Sequence, residues 1–373
     1  MNAESLVPVR DRAGSVFVAL LCAVALLVAF GSDARAAANA GASAEEPARA
    51  TVKIKLKGLK GKRATIMSRV VVKGSLKPFR NLQKVRVYLY RDGKRFSTRR
   101  VKVNKAGRNH GSFRTVFYVR EGNRYGVRAK YWGKSGDRPV GKDSTEHKTF
   151  RVRYVGLAHD QCGRVVAAFR KALNRLALVP AQGRCFNGKM ERAVLAYRKL
   201  NDMTRNARAS KTIVKRVFNG KGGYRVRRPG LGNHMEAPLS KQVIVFAKGN
   251  KPYAIFPIAS GAPATPTILG TYEFYWKDPG YNSLGMYYSS YFIRGYATHG
   301  YKSVPNYPAS HGCLRTFISD QPRIYKITRL GMKVYTFGNA FRNRVEPYKV
   351  RRSGGDLGPD LGATGGLDPA SLN

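Results

Sequence analysis

"YPASHGCLRTFISD", residues Tyr307–Asp320, sets a serine, a histidine, a glycine and a cysteine side by side in a chain of 373 residues that has four cysteines. Four roles compete for Cys313: buried small hydrophobe, metal ligand, disulfide partner and nucleophile. A thiol of ordinary pKa, about 8.5, is only a few per cent ionised at neutral pH, so a nucleophilic cysteine needs a base or a positive neighbour. The neighbourhood supplies both. His299 closes a strand-like run in "ATHG", His311 lies two residues before the thiol and Arg315 two after it. Gly312 gives the backbone conformations that other residues avoid, so amide N–H groups of the turn can face a developing oxyanion. These are the parts of acyl transfer, and they lead us to expect a thiol of low pKa that alkylates quickly near neutral pH. Two plainer readings stay open. A zinc site would use His299, His311 and Cys313, a spacing without a paired C-x-x-C or H-E-x-x-H, and an inert cysteine flanked by chance histidines is the other. No metal and no cofactor is expected.

Upstream, "KQVIVFAKGNKPYAIFPIASG" reads as two strands about a Gly249-Asn250 turn, and "TYEFYW" and "YYSSYFIRGYATHG" read as further strands, so Cys313 follows a β-rich stretch. Beyond Gly338 the chain becomes polar, and "SGGDLGPDLGATGGLDPASLN" has no periodicity, so 341–373 is expected to be a disordered tail. On the other side, "GGYRVRRPGLGN" makes 221–233 a Gly-, Pro- and Arg-rich joint. Residues 156–220 switch to helical spacing. "CGRVVAAFRKALNRLALVP" puts Val165, Phe169, Leu173 and Leu176 on one face with a stop at Pro180, "NGKMERAVLAYRKLN" does the same with Met190, Val194 and Tyr197, and "SKTIVKRVF" starts at a Ser210 cap. Three short helices around a small core are expected.

Residues 51–155 alternate strictly. "TVKIKLKGL" interleaves Val52, Ile54 and Leu56 with lysines, and "KVRVYLYRDGKRFSTRRVKV" carries two such runs about the Asp92-Gly93 turn. An antiparallel, Ig-like β-sandwich is expected, with 31 basic against 5 acidic residues. When one sign is nearly absent, a polyanion-facing surface is favoured over a merely solvated one.

The N-terminus says which polyanion is at hand. Arg10 and Arg12 precede the apolar run Val16–Phe30, and alanines at 34, 36, 38 and 40 offer A-x-A cleavage sites. Residues 1–40 are therefore expected to be a signal peptide, with a retained membrane anchor as the alternative, and 41–50 a flexible Ala-rich linker. Cys22 is filler in the apolar run. Export leaves Cys162, Cys185 and Cys313, an odd number in an oxidising compartment. Cys162 and Cys185 can close a loop of about two dozen residues, contributing roughly 3 kcal/mol by chain entropy, or remain two buried thiols. The net charge of +48 is far outside the range of an ordinary soluble enzyme. Nucleic acid is not expected as the partner, because the chain is exported and no nucleic-acid signature accompanies the basic residues.

"HG" at His299-Gly300 followed by "SHGCLR" at Ser310–Arg315 resembles the signature of the L,D-transpeptidase (YkuD) catalytic domain. "LSKQVIVFAKGNKPYAIFPIASG" is similar to that family's opening hairpin, and "ATPTILGTYEF" to its Thr-Pro-x-Gly segment. The resemblance spans 234–340, with Ile268 and Leu269 interposed before Gly270 and a short His299–Ser310 interval, from which a reduced cover over the site is expected. It implies Cys313 as nucleophile, His299 as general base oriented by the Gly300 carbonyl, and His311 and Gly312, with Cys313, as oxyanion donors. Arg315 would brace the motif or meet a substrate carboxylate, and Ser310 would support the turn. The implied reaction attacks the L,D bond before the terminal D-alanine of a peptidoglycan tetrapeptide stem and forms a 3→3 cross-link. Residues 156–220 likewise resemble the peptidoglycan-binding three-helix module, departing from it at Arg198, where a glutamine is usual. Together these imply an enzyme exported to the cell wall or periplasmic space and tethered to anionic wall polymers, touching membrane only if the N-terminal segment is retained. An L,D-carboxypeptidase of the same fold, a sortase-like transpeptidase and a non-catalytic wall-binding protein are the alternatives.

Overall fold

The computed structural model describes residues 50–131, 146–178 and 183–341. The expected export segment, the linker before residue 50, the Pro180 stop and the tail beyond residue 341 lie outside the described residues.

The alternating segment forms nine strands: β1 (Thr51–Lys57), β2 (Arg63–Thr65), β3 (Arg69–Lys77), β4 (Lys84–Arg91), β5 (Lys94–Lys102), β6 (Asn104–Lys105), β7 (Gly111–Tyr118), β8 (Arg124–Tyr131) and β9 (Glu146–Arg153). They pair as two sheets, β1-β3-β7-β6 and β2-β9-β8-β4-β5. In β1 the reason is visible residue by residue: Val52 and Ile54 are buried while Lys53, Lys55 and Lys57 are exposed. Val70 and Val72 from the first sheet and Val85, Val127 and Phe150 from the second enter one apolar core. Burying each such side chain contributes about 1.5–3 kcal/mol. Asp92 and Gly93, both at positive φ, close the β4–β5 hairpin, as a two-residue turn between twisted strands requires.

Three helices follow: α1 (Arg164–Arg175), α2 (Gly188–Leu200) and α3 (Lys211–Phe218). The Asn187 side chain caps α2 by accepting from the Met190 amide, and the Ser210 hydroxyl caps α3 by accepting from Ile213. In α1 the buried face is Val166, Phe169, Ala172 and Leu173 rather than the face led by Val165 and Leu176, which are only half-buried. Val166 takes the place in the shared core that the spacing assigns to its neighbour. Cys162 and Cys185 form a disulfide just outside α1 and α2.

The remaining chain is mainly β. Strands β10 (Asn233–Pro238), β11 (Val243–Lys248), β12 (Lys251–Pro257) and β13 (Gly270–Glu273) are followed by β14 (Trp276–Tyr281), β15 (Tyr287–Ile293), β16 (Tyr296–Tyr301) and β17 (Leu314–Phe317), then α4 (Gln321–Ile327) and β18 (Lys333–Phe337). One sheet has the order β12-β11-β10-β18-β13 and the other β14-β15-β16-β17. The run "YYSSYFIRGYATHG" divides into β15 and β16 at Arg294-Gly295, where Arg294 takes a positive φ. The joint before β10 is docked, not free: the Arg227 and Arg228 amides donate to the Glu236 carboxylate, and their guanidinium groups lie over Phe337 and Tyr335.

The apolar core is continuous across these segments. Val243, Val245 and Ile255 of β11 and β12 belong to the same cluster as the helices and the first two sheets, so α2 is packed between the other helices and the C-terminal sheet.

Candidate active site

Strands β16 and β17 run parallel with His299 opposite Arg315 and Thr298 opposite Leu314. Extending that register by one places Cys313 beside Ala297, and the Ala297 amide donates to Cys313 Sγ at 3.4 Å. Side chains two apart share a strand face, so Ala297 and His299 on one strand and Cys313 and Arg315 on the other occupy one face. The parallel pairing thus brings together a thiol and an imidazole that are fourteen positions apart in sequence.

His299 is buried, and its Nδ1 is 3.0 Å from the Gly300 carbonyl. Since a carbonyl accepts, Nδ1 carries the proton and Nε2 keeps its lone pair free to act as a base. Burial pushes the His299 pKa down to about 4; the Gly300 hydrogen bond opposes this and the Arg315 charge adds to it. Cys313 shifts the other way. Burial raises the thiol, against smaller lowering effects of the Ala297 amide and Arg315, and Sγ donates to the Gly295 carbonyl at 3.5 Å. This corrects the expectation of a low-pKa thiol: the sequence shows cationic neighbours but not the burial that outweighs them. At neutral pH the pair rests as thiol and neutral imidazole.

The turn that carries Cys313 is held from several sides. The Ser310 hydroxyl donates to the Cys313 carbonyl at 2.6 Å and accepts from the Gly312 amide at 3.1 Å. The Thr265 and Thr267 hydroxyls donate to the carbonyls of Ser310 and Gly312 at 2.9 and 2.6 Å. The Ser260 carbonyl accepts from the amides of Ala309 and Ser310, and Ser260 is itself fixed by Gln242. Gly312 has φ +110° and a Cβ there would stand 2.3 Å from the Tyr296 ring, so glycine is required twice over. The Gly312 N–H donates to Ser310, which corrects the expectation that it faces an oxyanion and leaves that expectation for the His311 and Cys313 amides. The His311 side chain is exposed. Arg315 lies over the Tyr301 ring at 4.2 Å, and Tyr301 meets His299 edge-on at 5.6 Å.

Three supports of this site carry no signal in the sequence. Gln321, at the start of α4, donates to the carbonyls of Tyr288 and Thr298 at 2.7 and 3.3 Å, locking the histidine strand. Thr316 Oγ1 donates to the His299 carbonyl. Tyr291 packs with Met286, Ala297 and Cys313, and Trp276 stacks on it at 4.5 Å between centroids. Among the described residues no cluster of three or more His, Cys, Asp or Glu is placed to hold a metal ion.

A second candidate surface lies on the outer face of the β2-β9-β8-β4-β5 sheet. Tyr90, Arg124, Arg128, His147 and Thr149 line a hollow of about 600 Å³. Gly126 leaves room for it, since a Cβ there would meet the His147 ring at 2.5 Å.

Residues 233–336 match the family model described as the L,D-transpeptidase catalytic domain, YkuD. Among solved structures, an L,D-transpeptidase from Xylanimonas cellulosilytica is 23% identical, with 50% of this chain and 98% of that one covered and a TM-score of 0.45. The catalytic domain of the L,D-transpeptidase of E. faecium is 23% identical over 28% of this chain and 96% of that one, with a TM-score of 0.25. An L,D-transpeptidase from Mycobacterium tuberculosis is 11% identical over 77% of this chain and 98% of that one, with a TM-score of 0.26. No curated protein matches the chain.

Proposed function

We propose that this chain, whose residues 233–336 match the L,D-transpeptidase catalytic domain family, is an exported cysteine acyltransferase that forms 3→3 cross-links between peptidoglycan stems. The family acts by acyl transfer on peptidoglycan stem peptides. The observation that carries the finer reading is the shared strand face of Cys313 and His299, with Nδ1 of the histidine committed to the Gly300 carbonyl.

A neutral resting pair means that the thiol is activated in the attacking step itself. His299 Nε2 takes the Cys313 proton as sulfur bonds to the carbonyl carbon of the L,D peptide bond, and the oxyanion is met by the His311 and Cys313 amides. Collapse of the tetrahedral species breaks the C–N bond, and the imidazolium returns its proton to the departing D-alanine amine. A stem's side-chain amine then attacks the thioester, passes a proton to His299 and expels the thiolate, which is reprotonated. His299's low basicity suits this cycle, since its cation forms transiently and readily gives the proton back.

Export is supported by the N-terminal pattern and by the Cys162–Cys185 disulfide, a bond of oxidising compartments. The lysine-faced strands and the hollow at Arg124 and Arg128 support a tether to anionic wall polymers, which raises local substrate concentration. Mass spectrometry of muropeptides after incubation with the full chain tests the reading. A 3→3 dimer with stoichiometric D-alanine, absent with Cys313→Ala, is expected. D-Alanine release without dimer would make the enzyme a carboxypeptidase, and an active Cys313→Ala would end the assignment.

A further inference from the structure

The sequence of α2, "GKMERAVLAYRKL", reads as an apolar stripe with a basic solvent face. The structure instead buries the cations: Arg192 and Lys199 are 1% exposed and Arg198 is 8% exposed. Burying charge is costly unless it is compensated by hydrogen bonds, so each partner matters.

Arg198, where the chain departs from the peptidoglycan-binding module, donates through Nε and Nη2 to the Arg208 carbonyl at 3.0 and 2.8 Å, and through Nη1 to the Thr204 carbonyl at 3.2 Å. It thereby closes the loop that follows α2. That loop delivers Arg205, 3% exposed, to the connections that follow β10 and β16. Arg205 Nη1 donates to the Asn306 carbonyl at 2.6 Å and Nη2 to the Ser240 carbonyl at 3.0 Å, while Asn306 Nδ2 donates back to the Arg205 carbonyl at 3.0 Å. Lys199 Nζ donates to the Ile258 carbonyl at 2.8 Å, with no acidic partner among the described residues. Arg192 grips Asp320 through two bonds of 2.7 and 2.9 Å, immediately before Gln321 of α4.

These carbonyls are not scattered. Ile258 precedes Ala259, which bonds Arg315 in both directions, and Ser260, whose carbonyl holds Ala309 and Ser310. Asn306 lies in the connection between His299 and Ser310. Asp320 precedes the glutamine that locks the histidine strand. The cations of one helix and its loop therefore reach three of the segments that support the Cys313 turn: Ile258–Ser260, the Asn306 connection and Asp320-Gln321.

We propose that Lys199 and Arg205 are positioning residues for acyl transfer, holding Ile258–Ser260 and the Asn306 connection so that the Ser310–Cys313 turn keeps its thiol and amides in one geometry. The helical segment then belongs to the machinery of the catalytic turn, and α2 is not free to serve as a wall-binding arm. Burial and, less, the neighbouring Arg205 charge push the Lys199 pKa well down. The inference rests on Cys313 being the nucleophile.

The test uses the full chain with Lys199→Met, Arg205→Met and Arg205→Lys, and Arg216→Met as control, because Arg216 bonds to Tyr197 and Asn201 within the helical segment. For folded Lys199→Met and Arg205→Met, kcat on a tetrapeptide stem should fall about 10- to 100-fold with KM nearly constant, as a misplacement of about 1 Å at a reacting group does. Arg205→Lys, which can reach one of the two carbonyls, should fold and lose several-fold. Arg216→Met should keep its kcat whatever its melting temperature. Wild-type kcat in Arg205→Lys and in the folded Met variants would overturn the proposal, as would an equal loss in Arg216→Met at matched stability. Activity surviving Cys313→Ala would instead remove the reading beneath it.

Discussion

Acidification should destabilise the native state through His299 in a way that one substitution removes. The folded imidazole titrates at about 4 against 6.5 for the ordinary group, so the native state binds fewer protons than the unfolded chain between those values. Stability contributed by the neutral ring is full above the unfolded pKa and is lost as pH falls towards the folded one. Since a tenfold difference in proton affinity is worth about 1.36 kcal/mol, moving from about pH 8 to about pH 5 costs roughly 2 kcal/mol from this residue. The physical source is burial, opposed in part by the Gly300 hydrogen bond, with a smaller lowering contribution from the Arg315 charge. Urea unfolding of the full chain and of His299→Gln at both pH values isolates the effect, because all other groups titrate in both proteins. The wild type should lose about 2 kcal/mol more than the variant. Equal losses, or a larger loss in the variant, would refute the assignment of a buried neutral base.

Cys313→Ala should abolish turnover while changing unfolding stability by no more than about 1 kcal/mol, since it removes one sulfur from a half-buried turn; retained turnover would contradict the nucleophile. A carbapenem should add one acyl group to the full chain and none to Cys313→Ala, read by intact mass, and an adduct at another residue would count against the site. The rate of iodoacetamide alkylation of Cys313 should climb with pH through a value above the ordinary thiol range, because burial raises the thiol; an inflection below neutrality would mean a preformed thiolate. Replacing Lys53, Lys55 and Lys57, all exposed on β1, by glutamine should weaken pelleting with intact walls and flatten its salt dependence, since exposed charge is screened within about 10 Å at 0.1 M salt. Unchanged pelleting would make that face a solvated surface.

The legible parts of this molecule are those whose cause is local. Val52 and Ile54 alternate with lysines, Asp92-Gly93 and Gly249-Asn250 can only turn, and Ser210 is a cap wherever it precedes a helix. The Cys313 motif is legible for a related reason: Gly312 and Ser310 shape the same turn that carries the nucleophile. What depends on distant chain is hidden. Arg192, Lys199 and Arg205 look like solvent-facing cations because their partners, Asp320, the Ile258 carbonyl and the Asn306 carbonyl, are 59 to 128 positions away. Gln321 gives no hint that it holds the strand of His299, since the parallel β16–β17 register that brings it there is not written in either segment. The thiol's ionisation is hidden for the same reason: charge can be counted along a sequence, whereas desolvation belongs to the packed fold.

The proposed acyl transfer requires that Cys313 form a thioester with the stem peptide. Rapid acid quenching of the full chain during turnover of a tetrapeptide stem, followed by intact-mass and peptide analysis, tests it directly. An added tripeptidyl acyl group on Cys313 is expected, formed as D-alanine appears and discharged when an amine acceptor is supplied. D-Alanine release with no acyl group on Cys313 at any time would contradict it.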